Sequence, residues 1–282
     1  MEMQDGCSLW PRLGQYSPFE APGYEGEGLF RLKLEHGEYV PDASRELVYD
    51  APTEDGETVI RLYREKGGWT FDMSFDKRVP IFAHMRTDAA FTSGDLFIDS
   101  NRATDAVFAI NNSLMLLFAF CTAPLDTLEL HASMVSNSGK AFLFLARSGT
   151  GKSTHSSLWL KYIPGTELMN DDNPVVRVWP DGRVMAYGSP WSGKTPCYRN
   201  VEAPAGAFVR ISRSPENGIS RLNLLQSYAL LYSSCSGFKA DSAMADGLHA
   251  TIEKIVSSVP CYVLDCRPDE EAARVCAGEV LK

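Results

Sequence analysis

KAFLFLARSGTGKSTHSSLWLKYI, residues 140 to 163, restricts the fold more than any other stretch of this chain. An apolar run, a loop with Gly149 and Gly151, and a helical pattern closed by Pro164 and Gly165 follow one another without a break. Glycine lets a backbone bend tightly, and a helix that opens straight afterwards turns its positive dipole end and its unpaired N–H groups toward that bend. Strand, loop and helix in this order make a cradle for an anion and predict an α/β unit.

A second stretch, GSPWSGKT at 188 to 195, fits the phosphate-loop formula letter for letter, whereas ARSGTGKS at 146 to 153 has Ala146 in place of the first glycine. Context favours the imperfect copy. Pro190 has no N–H to offer, Trp191 is bulky where a loop should hug its ligand, and Pro196 with CYRNVEAPAG shows no helical period. GSPWSGKT is instead expected to be a loop on the acceptor side, with Lys194 and, just beyond it, Arg199 available to steady charge on a phosphoryl group.

The rest of the chain bounds the answer. Its 282 residues are 44% apolar and 22% charged, enough for one large or two modest domains with a sizeable core. A net charge of −9 without a dense Lys/Arg cluster argues against nucleic acid or an anionic membrane as partner. Seven scattered cysteines, an odd number with no CxxC pair, fit reduced thiols better than a disulfide framework or a zinc knuckle. The first residues, MEMQDGCSLW, lack a basic stretch followed by an apolar one, so the expected location is cytoplasmic. The longest apolar run, AVFAINNSLMLLFAFCTA at 106 to 123, is interrupted by Asn111, Asn112 and Ser113 and reads as a buried helix rather than a membrane span.

Residues 28 to 100 read as six short strands, LFRLKLE, ELVYD, ETVIRLYRE, GGWTFDMSF, RVPIFAHM and DLFIDS, with no grouping of His, Cys and carboxylates at ligand spacing. The expected organisation is a small β-rich N-terminal domain over 1–104 and an α/β domain over 105–282. In the latter, LELHASMVS (128 to 136) and KAFLFLA (140 to 146) should form a hairpin, a strand should end at LMNDD, and VVRVW and RVMAY should pair about PDG. AFVRIS and PCYVLDC read as strands, and helices are expected over LNLLQSYALLY, about 242 to 259, and from Pro268 onward. A homo-oligomeric state is left open.

The expected chemistry follows. Ser148, Gly149, Thr150, Gly151, Lys152, Ser153 and Thr154 would hold the phosphates of ATP, with Lys152 on the outer phosphates and the Ser153 hydroxyl on Mg. Asp171 and Asp172, at a strand end, would divide two tasks, a carboxylate for Mg and a base for an attacking hydroxyl. His131, on the strand paired with the loop's own strand, is a structural residue or a site residue by position alone. His155, just inside the helix, would face either the phosphoryl group or solvent, and Arg147 solvent.

These residues resemble the HPr kinase/phosphorylase superfamily, whose phosphate loop is similar to that of phosphoenolpyruvate carboxykinases. The resemblance covers about 125 to 280 and is most specific over 128 to 173. It implies a mixed-sheet P-loop domain in which the loop follows an antiparallel strand pair. His131 matches a family histidine, and the acidic pair maps onto Asp171 and Asp172, one of them the base. GSPWSGKTPCYRN stands where the bifunctional members carry a signature segment. That departure points away from HPr as acceptor and toward relatives that phosphorylate a serine of a peptide or a small molecule. The expected function is therefore ATP- and Mg-dependent transfer of the γ-phosphoryl to a hydroxyl of a peptide, protein or small molecule. The alternatives are a non-catalytic ATP-binding regulatory or scaffold protein, a carboxykinase-like enzyme, or an ATPase coupled to motion.

Overall fold

The computed structural model describes residues 9–50, 58–193, 195–237, 239 and 242–282. Lys194 therefore lies outside the described residues. By packing, the chain divides into two units, one centred on Pro22–Thr122 and one made of Gln15–Ala21, Ala123–Gly237 and Ala243–Lys282. The division differs from the break at 104 expected from the change of strand and helix pattern, because the apolar helix packs with the first unit and a short N-terminal piece with the second.

In the first unit, β1 (Arg31–Leu34), β2 (Glu46–Asp50), β3 (Val59–Glu65), β4 (Gly68–Ser74), β5 (Ala83–Asp88) and β6 (Ser93–Ile98) fall on the six alternating segments. They form one sheet in the order β1-β6-β5-β4-β3-β2, antiparallel except for the β1–β6 pair. Gly67, at φ 92°, closes the two-residue turn between β3 and β4. Helix α1 (Ala103–Thr122) is long and apolar enough to cross a bilayer by length and composition. Its Phe108 and Phe120 pack on Phe75 (4.3 Å between ring centroids), Phe71 (5.7 Å) and Phe91 (5.0 Å) of the same unit. The strand text conceals one polar cluster: His84 Nδ1 lies 2.6 Å from Asp72, its Nε2 lies 3.4 Å from Asp99, and Tyr39 stacks on its ring at 4.3 Å. Arg45 closes the cluster on Asp72 at 3.2 Å.

The second unit comprises β7 (Thr127–Glu129), β8 (Ala132–Asn137), β9 (Lys140–Leu145), α2 (Lys152–Tyr162), β10 (Glu167–Asp172), β11 (Val175–Val178), β12 (Val184–Tyr187), β13 (Glu202–Arg213), β14 (Gly218–Arg221), α3 (Leu224–Ser234), α4 (Ser242–Ser258), β15 (Cys261–Cys266) and α5 (Glu270–Val280). The sheet runs β10-β8-β9-β13-β12-β11-β7, with β15 parallel to β13 and β14 antiparallel to β15. Both units thus hold mixed sheets with helices, an α/β chain overall.

Strand β9 shows why the apolar run is continuous. Phe142 and Phe144 join Trp159 of α2 and Ala272 and Cys276 of α5, while Ala141, Leu143 and Leu145 join Leu230 of α3 and Leu248 and Ile252 of α4. A strand covered on both faces has no polar face to alternate with. Ser138 (φ 51°) and Gly139 (φ 74°) form the two-residue β8–β9 turn, whose two left-handed residues suit the twist of the hairpin.

Two expectations change. LELHASMVS is not one strand: it breaks at Leu130 and His131, β7 pairing with β11 and β8 with β9 and β10. At the break the backbone bonds go elsewhere, Leu130 N–H to the Pro174 carbonyl (3.0 Å) and His131 N–H to the Ser234 carbonyl (2.8 Å). AFVRIS is only the end of the twelve-residue β13, whose first residues pair with β12 and whose last pair with β15.

Candidate active site

Strand order brings the chemistry together. Ala132 of β8 is in register with Leu145, the last residue of β9, and also with Asp172, the last residue of β10. Because β8 runs antiparallel to both neighbours, the start of β8 and the ends of β9 and β10 share one edge of the sheet. The loop 146–151, His131 and the Asp pair all emerge there. In the loop, Gly149 (φ 71°) and Gly151 (φ 131°) adopt backbone angles that side chains disfavour, and α2 begins at Lys152. Ser148 and Gly149 are exposed, Thr150, Gly151 and Ser153 half-buried, and Thr154 exposed in the first helical turn.

Lys152 turns back across the loop. Its Nζ lies 2.7 Å from His131 Nε2 and 3.5 Å from the Ala146 carbonyl, and the same His131 nitrogen lies 3.1 Å from Asp172 Oδ1. Burial draws the Lys152 ammonium below its ordinary range, against the pull of Asp172 and Asp171. Asp172 is buried enough to be pushed up, but the hydrogen bond and charge of His131, together with Lys152 and Asn173, hold its carboxyl below the usual range. Asp172 stays an anion with φ 131°, a conformation that costs a residue with a side chain about 1–3 kcal/mol and gathers at functional sites.

Asp171 differs from its neighbour. It is 2% exposed, and neither carboxylate oxygen has a hydrogen-bond partner among the described residues. Its backbone carbonyl, by contrast, accepts from Gly193 N–H and from Ser192 Oγ at 3.0 Å. Among the described residues no three His, Cys, Asp or Glu side chains group closely enough to hold a metal by themselves.

Residues 188–193, the described part of GSPWSGKT up to Gly193, wrap this acidic end. Asn170 Nδ2 donates to Ser189 Oγ and to the Trp191 carbonyl, each at 3.1 Å, and Ser189 Oγ donates to the Asn173 carbonyl at 2.6 Å. A Cβ on Gly193 would stand 3.1 Å from Asp172 Cβ and 3.2 Å from its Cγ. Gly193→Ala is thus expected to cost about 1–3 kcal/mol of stability, the usual penalty of overpacking, and to push Asp172 off His131. Urea titration reads the first effect and the turnover of an active preparation the second; an unchanged variant would show that the loop does not press on Asp172.

No family model matches this sequence, and no curated protein sequence matches it either. Among solved structures, the Hpr(Ser) kinase/phosphatase from Coxiella burnetii is similar at 9% identity, over 54% of this chain and 96% of that one, with a TM-score of 0.33. The likeness is slight. What the site can do is therefore read from its own side chains.

The remaining expected residues separate. Arg199 is not brought to the Asp pair: its guanidinium holds the Leu168 carbonyl (2.6 Å) and Glu167 (2.9 Å) at the other end of β10. His155 faces neither ligand nor solvent but the core. It accepts from Trp159 Nε1 at 3.1 Å, packs edge-on against Phe144, and is drawn down to about 4 by burial. Arg147 is exposed, as expected.

Sequence reading missed three side chains here. Tyr16, in the 15–21 segment, accepts from Trp191 Nε1 at 3.1 Å, and Arg213 holds the 146–151 loop. Glu129 is wholly buried, and its Oε2 has no partner among the described residues. A signal existed for Glu129, a carboxylate between Leu128 and Leu130 in strand text.

Burial pushes the Glu129 carboxyl up to about 8 from 4.5, the Asp172 charge adding to the shift and the Ser236 hydroxyl opposing it. Between those values the folded chain keeps a proton that the unfolded chain has released. The stability tied to Glu129 is therefore complete below 4.5 and lost as pH rises through 8. His155 works the other way at lower pH, the unfolded chain protonating first below 6.5. Denaturant unfolding at pH 6.5 and 8 should show wild type more stable at the lower pH by up to about 2 kcal/mol, and Glu129→Gln should flatten that slope. A variant with the wild-type slope would remove Glu129 as its source.

Proposed function

We propose that the protein is a kinase that transfers the γ-phosphoryl of ATP, with Mg, to a hydroxyl, a serine of a peptide or protein or the hydroxyl of a small molecule. The observation that carries this reading is the meeting of Lys152, His131 and Asp172 within 2.7 and 3.1 Å at the mouth of a two-glycine loop that opens a helix. In this reading the second unit is a P-loop domain, and the loop's N–H groups together with Ser148 to Thr154 take the phosphates.

Asp172 is the base. It is ionised, half-exposed and oriented by His131, so it can receive the proton of an attacking hydroxyl. Lys152 leaves His131 to neutralise charge on the outer phosphates. The unpartnered oxygens of buried Asp171 fit a cation, and Ser153 and Asp171, with Asp172 beside them, are the residues that would hold Mg. Magnesium takes few protein ligands when phosphates supply the rest, which suits a site without a three-residue metal cage among the described residues. When bound it would offset the negative charge of the phosphates. Lys194 and Arg199 remain outside this scheme, the first undescribed and the second committed to Glu167.

The burial of the six described cysteines, none of them in a disulfide, suits a cytoplasmic location, and the acidic charge balance suits an acceptor other than nucleic acid. Incubation with Mg-ATP and pools of serine-containing peptides or metabolites should yield a product heavier by one phosphoryl group, detected by mass spectrometry. Nucleotide consumption without any phosphorylated product would favour hydrolysis, and nucleotide binding without consumption a regulatory role.

A further inference from the structure

Strand β13 runs parallel to β9, with Arg210 in register with Leu145. It therefore continues three residues past the point where β9 gives way to the loop, and its last residue, Arg213, stands beside that loop. The backbone there is fixed: Arg213 is in register with Cys266 of β15, and Ser214 N–H donates to the Cys266 carbonyl at 3.1 Å. From this anchored position the guanidinium donates through Nη2 to the Gly149 carbonyl at 2.5 Å and through Nε to the Thr150 carbonyl at 3.2 Å.

We propose that Arg213 is a positioning residue for the phosphate loop, locking the 149–151 backbone in its ligand-ready shape by bridging two consecutive carbonyls. The inference rests on the kinase reading above. The bridged carbonyls belong to a stretch whose flanking glycines have φ 71° and 131°, where the backbone is freest to change shape. A trans peptide points its N–H opposite to its C=O. Holding the Thr150 carbonyl on the Arg213 side thus directs the Gly151 N–H to the other side of the loop. A planar guanidinium spans two acceptors at fixed geometry, and a lysine ammonium does not. Arg213 has no salt bridge among the described residues, so its charge also stays unspent beside a site for anions.

Calorimetric titration of Mg-ADP into wild type, Arg213→Ala and Arg213→Lys tests this. Wild type should bind, Arg213→Ala should bind at least about tenfold more weakly with little change in melting temperature, since the side chain is exposed, and Arg213→Lys should recover only a minor part. Added guanidinium at millimolar concentration should partly restore the alanine variant, a response that a purely structural role would not give. If wild type binds and Arg213→Ala binds equally well, the positioning role falls while the kinase reading stands. Full recovery by lysine would replace bridging with simple charge and overturn it, as would a large fall in melting temperature. If wild type itself does not bind, the nucleotide reading falls, and this inference with it.

Discussion

Lys152→Ala is expected to lower phosphoryl transfer by about 10²–10³-fold, the loss that follows removal of one preorganised donor to developing charge. The reason lies in the position of the ammonium before any ligand arrives. It is drawn out of solvent, held at 2.7 Å from His131, and lowered in basicity by that burial. A desolvated cation at the opening of a helix meets phosphate oxygens without shedding much water, so its attraction to them is strong. Titration of Mg-ADP and initial rates with an identified acceptor measure the effect. Unchanged affinity together with unchanged turnover would remove Lys152 from the site and with it the reading of ARSGTGKS as the phosphate loop.

Asp171→Asn should separate stability from activity. A polar group buried without hydrogen bonds costs about 1–3 kcal/mol, and Asp171 has two oxygens in that position among the described residues. Replacing the acid is expected to raise the melting temperature of the ligand-free protein by roughly 2–12 °C, at about 2–4 °C per kcal/mol for a chain of this size. The same change removes a carboxylate for the cation that accompanies the nucleotide, and transfer should fall by at least about 10²-fold. A protein that becomes more stable and less active at one residue is spending folding energy on a binding site. Thermal unfolding without ligand and kinetic assay of the same preparation are sufficient. A lower melting temperature would mean that Asp171 is a structural anchor rather than a poised ligand.

The local structure of the candidate site is legible in the sequence because it depends on local chemistry. The apolar run before ARSGTGKS and the helical pattern after it are β9 and α2, and among the described residues no helix follows GSPWSGKT, as Pro190, Pro196 and the missing helical period imply. What the sequence concealed is long-range. His131 reaches Lys152 and Asp172 only because β8 is antiparallel to both β9 and β10. Strand pairing leaves no mark in any single segment. Arg213 acts on a loop more than sixty residues earlier through the overshoot of one parallel strand past another. The break at Leu130 and His131 was hidden for the same reason: LELHASMVS alternates well enough for one strand, and only the carbonyls of Pro174 and Ser234 show where the ladder stops. Helical geometry alone turns His155 toward the phosphoryl group or solvent, whereas α2 packs it against Phe144 and Trp159.

GSPWSGKT is the better match to a motif, yet its residues 188–193 form a collar at the Asp171 and Asp172 end of β10, bonded through Ser189 and Trp191 to Asn170 and through Trp191 to Tyr16. Tyr16 belongs to a stretch that precedes the whole first unit in the chain yet packs with the second. The two units are thus interleaved along the polypeptide, and no single cut separates them. A fragment beginning at residue 105 would leave behind the partner of Trp191 and would carry most of α1 away from the sheet that covers it. During synthesis, the segment that finishes the collar emerges first, and its bond to Trp191 forms only once residue 191 has followed.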